Sequence, residues 1–456
     1  MSPEMFDTAD LIARDAAHHL HSQTDPALIL SEGSRIIVRA EGCHVWDSDG
    51  RKILDGMAGL WCVNIGYGRA ELAEVAAEQM RALPYYNNHF QSAAPPMIAL
   101  GEKLASLTPE GLDHFAYGCS GSEANDAIVR LTRHYWRRLG KPGKRVFISR
   151  TLAYHGSTVA AASLGGMPAM HAMDGVLAEV AHIEHPHWYV NGGDLTVEEY
   201  GLKAARALAE KIEELGPENV AAFIAEPVQG AGAVIVPPET YWPEIQRICR
   251  HYDILLIADE VICGFGRTGS WFGSQTFGIA PDFMPMAKGI SSGYLPVSAV
   301  AIHDRVFDVL AAGGYLPHGY TYSGHPTACA VALANIEIME REGLPGRVRD
   351  DIGPYFQAAM QRIADTHPLV GEKRGVGMMA ALQLVRDKAT REVCTMEDNA
   401  AIMTRDTAYA NGLIARAIGQ SMILSPPLIA THAEVDEMAA ILTAALDETA
   451  ERLRFT

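Results

Sequence analysis

The chain has 456 residues, too many for one ordinary hydrophobic core, so two domains that share a cleft are expected. Its formal net charge is −18, which disfavours nucleic acid or an acidic membrane face as a partner. The 7 cysteines are scattered without a CxxC pair, so neither a disulfide framework nor a zinc ribbon is predicted, and a reducing cytoplasm is the expected location.

The N-terminal part of the chain reads as short strands. Residues 1–15 are acidic and lack the basic and apolar regions of a signal peptide. No run of about 18 apolar residues predicts a membrane span. Residues 34–55 alternate apolar stretches around Asp49-Gly50, a dipeptide typical of hairpin turns.

Between about residues 100 and 325, apolar strands alternate with amphipathic helices. The predicted strands are 114–119, 145–150, 220–227, 253–260, 283–288 and 297–303, and the predicted helices are 122–140, 197–216 and 239–252. This alternation indicates an α/β fold with a mainly parallel sheet, buried on both faces by helices. Such sheets bind ligands beyond the carboxyl ends of their strands.

The chain after residue 330 begins with a helix and then mixes strands and helices. The predicted domains are an N-terminal segment (1–75) that contributes to a smaller α+β domain, a large ligand-binding domain (76–330), and a C-terminal small domain (331–456).

Two charged residues end predicted strands of the large domain. Lys288 closes an apolar strand, and burial there would lower the pKa of its amine and make it nucleophilic enough to form an imine. A lysine that extends to the surface fits the same pattern. Asp259 closes a neighbouring strand, and its position suits either a capping or metal carboxylate or a partner for a pyridinium nitrogen. Since side chains alternate along a strand, Glu260 is expected to face away from the cleft of Asp259.

Further candidate residues follow other predicted strands. Ser120-Gly121-Ser122-Glu123 has the pattern of a capping box, and a helix N-terminus of this kind also suits a phosphate. The aromatic residue of Tyr154-His155-Gly156 could stack on a flat ring. Gln229 could donate to a ring oxygen, and Glu226 could support the site as an acceptor. Each of these residues taken singly also fits a structural role.

Six short motifs together resemble the class III pyridoxal-phosphate aminotransferases. They occur in that family's order and spacing, and they are SGSEA (120–124), YHG (154–156), EPVQG (226–230), ADEVICGFGRTG (258–269), AKGISSGYLP (287–296) and GYTYSGHP (319–326). The resemblance extends over nearly the whole chain. It implies the type I fold of pyridoxal-phosphate enzymes and a homodimer, with pairing into tetramers left open, whose active sites lie at the subunit interface.

The resemblance also implies roles for individual residues. Lys288 is the lysine that carries the cofactor as a Schiff base and shuttles the proton, and Asp259 partners the pyridine nitrogen. Val261 packs on one face of the ring and Tyr154 on the other, beside His155. Gly121 and Ser122, with Ser120 before them, hold the phosphate. Thr321, preceded by Tyr320, reaches the phosphate from the neighbouring subunit.

Within the family, residues 55–68 resemble the branch that acts on amines and omega-amino acids with pyruvate. Trp61 and Phe90 then resemble pocket walls beside Tyr154. Arg416 resembles a mobile arginine that meets a substrate carboxylate and leaves room for an uncharged group. The stretch EPVQGAGA lacks the glutamate that some ornithine- or GABA-type relatives carry at this point. A ping-pong transfer of an amino group to pyruvate, giving alanine, is therefore expected.

Other functions are weighed against this one. The same cofactor residues would serve an aminotransferase specific for taurine or beta-alanine, an aminomutase or a decarboxylase. Gly264-Phe265-Gly266-Arg267-Thr268-Gly269 matches the glycine pattern of dinucleotide-binding oxidoreductases, but the glycine-rich stretch after it does not predict the required helix. His182, His185 and His187 could suggest a metal site, but without a carboxylate pattern a histidine-rich surface loop is expected.

Overall fold

The computed structural model describes residues 6–453. Its helices are α1 (Thr8–His18), α2 (Pro26–Glu32), α3 (Ala58–Trp61), α4 (Ala70–Ala82), α5 (Pro95–Ala105), α6 (Gly121–Arg138), α7 (Val159–Leu164), α8 (Pro168–Asp174), α9 (Trp188–Asn191), α10 (Val197–Leu215), α11 (Tyr241–His251), α12 (Gly273–Phe277), α13 (Asp304–Ala311), α14 (Pro326–Arg341), α15 (Leu344–Asp350), α16 (Ile352–Thr366), α17 (Ala400–Ala410) and α18 (His432–Leu453). Its strands are β1 (Ile37–Glu41), β2 (His44–Asp47), β3 (Lys52–Asp55), β4 (His114–Gly118), β5 (Val146–Arg150), β6 (Val180–Ile183), β7 (Val220–Ala225), β8 (Leu255–Ala258), β9 (Phe283–Met286), β10 (Ser298–Ile302), β11 (Val370–Val376), β12 (Met379–Asp387), β13 (Glu392–Val393), β14 (Leu413–Ile414), β15 (Arg416–Ile418) and β16 (Ser421–Leu424).

A 7-stranded sheet with the order β4-β10-β9-β8-β7-β5-β6 forms the centre of the molecule. The pairs β5–β6, β5–β7, β7–β8 and β8–β9 are parallel, whereas β10 runs antiparallel to both β4 and β9. The α/β expectation is confirmed. The edge strand β6 was not predicted, and neither was the reversed direction of β10.

Helices cover both faces of this sheet because successive side chains of each strand point to opposite sides. On β8, Leu255 and Ile257 pack with α6, whereas Leu256 and Ala258 pack with α10 and α11. Helix α10 begins with a reciprocal capping box between Thr196 and Glu199, which satisfies backbone donors at its exposed end. The inner strands β7, β8, β9 and β10 are therefore buried on both faces, and only their ends are open to a ligand.

Strands from the two ends of the chain share a second, 4-stranded sheet with the order β1-β2-β3-β14. Gly50, with a φ of 83°, makes the expected turn between β2 and β3. The pair β14–β3 is parallel and aligns Ile414 with Asp55. A third sheet, β11-β12-β16-β15, also draws on the C-terminal part of the chain. The domain boundaries after residues 75 and 330 stay a prediction.

Some predictions concern residues at the ends of the chain. The predicted absence of a signal peptide, and the outer limits of the first and last predicted domains, fall partly on residues 1–5 and 454–456, which lie outside the described residues. Within residues 6–453, no helix is both long enough and apolar enough to cross a membrane.

Candidate active site

A buried carboxylate occupies the carboxyl end of β8. Asp259 is 2% exposed and follows the last residue of the strand, which ends at Ala258 rather than at the predicted Glu260. Its Oδ2 lies 2.7 Å from Nδ1 of His155 and accepts a hydrogen bond of 2.9 Å from Nδ2 of Asn125. Its Oδ1 accepts a bond of 3.1 Å from the backbone N–H of Val261 and keeps a lone pair for a further donor. The carboxylate is therefore fixed in orientation and still able to accept a proton donor.

Asn125 was not among the predicted site residues. It lies in the first turns of α6 and is fully buried, and its Nδ2 donates both to Asp259 and to the backbone oxygen of His155. The residue shares its helix face with Ile128, Thr132 and Trp136, all of which are buried. A polar residue within an apolar helical stripe was the signal that could have identified it.

Glu260 points away from Asp259, as expected from strand alternation. Its carboxylate accepts hydrogen bonds from the backbone N–H of Gly273, at 2.8 Å, and from the Ser274 hydroxyl, at 2.6 Å, at the start of α12. Burial raises the pKa of Glu260 to about 7. Its position indicates that it anchors α12 beneath the sheet edge.

Lys288 follows β9, the parallel neighbour of β8. The strand ends at Met286, so Lys288 does not close it as predicted but begins a single turn of 3-10 helix (Lys288–Ile290). Its φ of 46° lies in the left-handed region, which is strained for a residue with a side chain. The lysine is half-buried rather than deeply buried. It therefore lies at the same sheet edge as Asp259, because β8 and β9 run in the same direction.

The N-terminus of α6 lies beside Asp259, because Asn125 in its first turns donates to that carboxylate. Ser120 caps the helix by accepting the Glu123 N–H at 3.2 Å, while the Glu123 carboxylate accepts the N–H of Cys119, not of Ser120 as in the usual capping box. A Cβ on Gly121 would lie 3.0 Å from Cγ2 of Val261. The helix start and Val261 therefore pack closely against each other, and a side chain at position 121 would crowd Val261. The first N–H groups of an α-helix have no partner within the helix and suit a phosphate.

The segment after β5 completes this region. The Ser122 hydroxyl accepts the N–H of Ser157 at 3.0 Å, and a Cβ on Gly156 would lie 2.5 Å from that hydroxyl oxygen. Gly156 has a φ of 132°, so both the space and the backbone conformation favour glycine. Tyr154 is half-buried, and its hydroxyl lies 3.1 Å from Oγ of Ser157. The predicted Tyr154-His155-Gly156 motif thus packs against the start of α6.

Glu226 and Gln229 lie in the buried loop after β7. The Glu226 carboxylate accepts the backbone N–H groups of Tyr154, at 3.2 Å, and Gly230, at 2.9 Å, and burial raises its pKa. Gln229 is fully buried and donates from Nε2 to the backbone oxygen of Thr151 at 3.0 Å. Glu226 therefore supports the backbone of Tyr154, and the predicted bond from Gln229 to a cofactor oxygen stays a prediction.

Arg416 lies in β15, and desolvation lowers the pKa of its guanidinium. The neighbouring ionisable group that raises this pKa is Tyr154, and Arg416 forms no ion pair with a carboxylate among residues 6–453. An arginine without an acidic partner keeps its hydrogen-bond donors available for a carboxylate that comes from outside the chain.

Trp61 lies in a distorted turn between β3 and α4. It is 2% exposed and packs against Val228, Ile262 and Met379, so it forms part of the core and its predicted role as a pocket wall stays a prediction. Its φ is 65°, and Ala58 in the same turn has a φ of 48°. Both lie in the left-handed region, which is unusual for residues with a side chain.

The buried Asp55 carboxylate supports this turn by accepting the N–H groups of Met57, at 2.9 Å, and Gly59, at 2.6 Å. The hydroxyl of Tyr67 donates a third bond, at 2.7 Å.

Three predicted site residues lie at or near the surface: Phe90, Tyr320 and Thr321. Phe90 is 88% exposed, and His89 beside it places Nε2 3.1 Å from the backbone oxygen of Tyr320. Thr321 is exposed, and the Tyr320 hydroxyl donates to the backbone oxygen of Glu123 at 2.9 Å. Phe90 and Thr321 therefore lie exposed at the surface of this chain.

The histidine-rich stretch is not the expected surface loop. His182 belongs to β6, with Nε2 2.7 Å from the Gly165 oxygen; His185 places Nδ1 2.9 Å from the Thr151 hydroxyl; and the buried His187 places Nε2 2.8 Å from Glu372. The prediction of a surface loop was wrong, because each imidazole has its own hydrogen-bond partner and the stretch packs on the sheet edge.

The fold and the groups at this sheet edge define a pyridoxal-phosphate-dependent enzyme. Asp259 can accept a pyridinium proton, Lys288 offers an amine, and the α6 start offers N–H groups to a phosphate. The family model Aminotransferase class-III matches residues 30–446, and the chain belongs to that family. It is therefore a pyridoxal-phosphate-dependent aminotransferase, which excludes the oxidoreductase alternative.

Relatives of this family match over almost their full length. A putrescine–pyruvate aminotransferase of Pseudomonas aeruginosa is 54% identical over 440 residues, covering 96% of both chains. An (S)-enantioselective omega-transaminase from Thermomicrobium roseum is 43% identical with a TM-score of 0.94, covering 97% of this chain and 99% of that one. The omega-transaminase of Pseudomonas jessenii in complex with PMP is 42% identical with a TM-score of 0.95 and the same coverage.

Proposed function

We propose that this aminotransferase moves the amino group of a primary amine to pyruvate and forms alanine, with a diamine as its favoured donor. The single observation that carries the use of pyruvate is Arg416, a guanidinium beside Tyr154 that forms no ion pair with a carboxylate in the described part of the chain. The 54% identity to a putrescine–pyruvate aminotransferase supports the diamine donor.

The proposed reaction has two halves, in which the amine leaves as a ketone or aldehyde and pyruvate then leaves as alanine. Pyridoxal phosphate, when bound, supplies an electron sink for the carbanion that forms when the substrate carbon loses its proton. Asp259 holds the proton on the ring nitrogen, because its carboxylate is buried and fixed by His155 and Asn125. The Lys288 amine binds the cofactor and moves the proton at the reacting carbon.

Further residues bind and orient the cofactor and the substrate. The first N–H groups of α6, with Ser120 and Ser122, hold the phosphate, while Val261 and Tyr154 enclose the ring. Glu226 supports the backbone of Tyr154. Arg416 pairs with the carboxylate of pyruvate in one half-reaction and leaves the pocket free for a donor without a carboxylate in the other.

We infer that the enzyme acts as a homodimer in which Phe90, Tyr320 and Thr321 serve the partner's site. Tyr85, Phe90 and Tyr322 are exposed aromatic residues. The rings of Tyr85 and Tyr322 lie 5.7 Å apart, and His89, next to Phe90, lies 3.1 Å from the backbone oxygen of Tyr320. Large exposed apolar patches mark interaction surfaces. Analytical ultracentrifugation should give a dimer or a pair of dimers, and Phe90→Ser should weaken the association; a monomeric active enzyme would contradict this inference.

Donor specificity is tested by measuring alanine formed from pyruvate with putrescine, beta-alanine, taurine and an arylalkylamine. We expect kcat/KM to be highest for putrescine, with Lys288→Ala as the inactive control. A preference for beta-alanine or taurine would instead favour an aminotransferase specific for that donor. An amine product without alanine would indicate a decarboxylase, and an isomerised amino acid an aminomutase. The proposed cytoplasmic location is tested by cell fractionation.

A further inference from the structure

One face of α6 carries a row of basic side chains toward the C-terminal end of the helix. Arg130, Arg133, His134 and Arg137 are spaced i, i+3, i+4 and i+7, so they lie on the same side of the helix. Together with Arg145 and the loop 316–318, they line a cavity of about 230 Å³. Arg130 is nine residues beyond Gly121, which places it about 14 Å along the helix axis from the α6 start.

The cavity has an excess of positive charge in a chain whose net charge is −18. Its ion pairs involve one carboxylate, Glu179, which lies 3.3 Å from Nη2 of Arg145 and 4.0 Å from Nη2 of Arg133. Arg130 donates to the backbone oxygen of Pro317 at 2.8 Å, and Arg137 has no carboxylate within 4.0 Å in the described part of the chain. Like charges at this helical spacing repel one another, although Arg137, in the last turn of α6, interacts favourably with the helix dipole.

Two buried nitrogen atoms of the cavity residues have no hydrogen-bond partner among residues 6–453. They are Nε of Arg133, which is a donor, and Nδ1 of His318, whose role depends on the tautomer. Burial, and then the nearby Arg145, lower the pKa of Arg133. The exposed guanidinium groups of Arg130 and Arg137 are the donors that an occupant with oxygen atoms can reach.

We propose that this cavity binds a small organic dianion, either a dicarboxylate or a phosphate ester. Guanidinium groups match the oxygen pairs of both anions, and their fixed arrangement suits two charged groups on one molecule. The volume is below the roughly 300–1,000 Å³ of pockets for drug-sized ligands, so the ligand is a small metabolite rather than a nucleotide. The strongly negative chain disfavours nucleic acid as the occupant.

Isothermal titration of the holoenzyme with succinate and, separately, glycerol phosphate tests the proposal and distinguishes the two anions. Bound cofactor occupies the phosphate site of the active centre, and repeating the titration with Arg416→Ala removes the substrate carboxylate site. We expect saturable binding of at least one anion that persists in Arg416→Ala. Arg137→Gln should weaken this binding about tenfold, because a hydrogen bond to a charged group is lost.

Arg206→Gln is the matched control, because it removes the same charge from an exposed position on α10. Its affinity for the anion should equal that of the unmodified enzyme. Equal affinity in Arg137→Gln, loss of binding in Arg416→Ala, or no saturable binding of either anion would each overturn the proposal.

Discussion

Nδ1 of His155 lies 2.7 Å from Oδ2 of Asp259, and the two side chains are 0% and 3% exposed. A carboxylate in such a position cannot turn toward water, so its remaining acceptor capacity is directed at the cleft. The pair therefore fixes the direction in which Asp259 accepts a proton donor before any ligand arrives. This preorganisation is what the proposed role of Asp259 requires.

Replacing Asp259 with Ala should lower kcat by at least about 100-fold, since it removes a preorganised charge next to the ring nitrogen. The cofactor should still bind through Lys288, which the visible absorption of the purified variant reports. Asn125→Ala is the informative comparison, because it removes one donor to Asp259 and leaves the carboxylate in place. Full activity of Asp259→Ala would refute the assigned role.

Replacing Arg416 with Ala should raise KM for pyruvate much more than KM for a neutral amine donor. The lost guanidinium pairs with the carboxylate of the acceptor alone, and a charge-assisted hydrogen bond contributes about 1.5–3 kcal/mol, or roughly tenfold or more in affinity. Steady-state kinetics with each substrate varied in turn measure the two effects. Arg416→Lys keeps the charge but not the planar fork, and equal losses for both substrates would assign Arg416 a structural role.

Gly121→Ala should weaken cofactor affinity about tenfold. The new methyl group would lie 3.0 Å from Cγ2 and 3.1 Å from Cγ1 of Val261, so Val261 would have to move from the position in which it is proposed to cover the cofactor ring. Val261→Ala removes both methyl groups, and the double variant should bind the cofactor more tightly than the sum of the single effects predicts. Fluorescence titration of the apoenzyme with pyridoxal phosphate measures the affinities of all three variants. Strictly additive effects would show that Gly121 and Val261 act independently of each other.

Stability should fall as pH rises through the range in which Glu260 titrates. Burial raises the folded-state pKa of Glu260 to about 7 from 4.5, so the folded state binds the proton more tightly than the unfolded state. The contribution of Glu260 to the free energy of unfolding is therefore complete below about pH 4.5. It declines by on the order of 3 kcal/mol as pH approaches 7. Thermal unfolding followed by circular dichroism from pH 5 to 8 should show a steeper decline for the unmodified enzyme than for Glu260→Gln. Parallel curves would contradict the shifted pKa.

Apolar strands and amphipathic helices were predictable because burial on both faces leaves a clear pattern. Strand β6 was missed because Val180–Ile183 is a short, half-buried edge that contains His182. The left-handed conformation of Lys288 was not predictable either, since it depends on the turn after β9 and not on local propensity. Asn125 and His155 were understood only once the structure placed both against Asp259.

The alignment of Asp55 with Ile414 in the β3–β14 pair has a consequence for specificity. Asp55 supports the turn that carries Trp61, and Ile414 is two residues before Arg416. Trp61 is the candidate residue for recognising the shape of the amine donor, and Arg416 is the candidate for binding the charge of the keto acid acceptor. Both are therefore connected to the same pair of short strands. Substitutions that shift this pair should change both preferences together, so selection for a new amine would also alter the choice of keto acid.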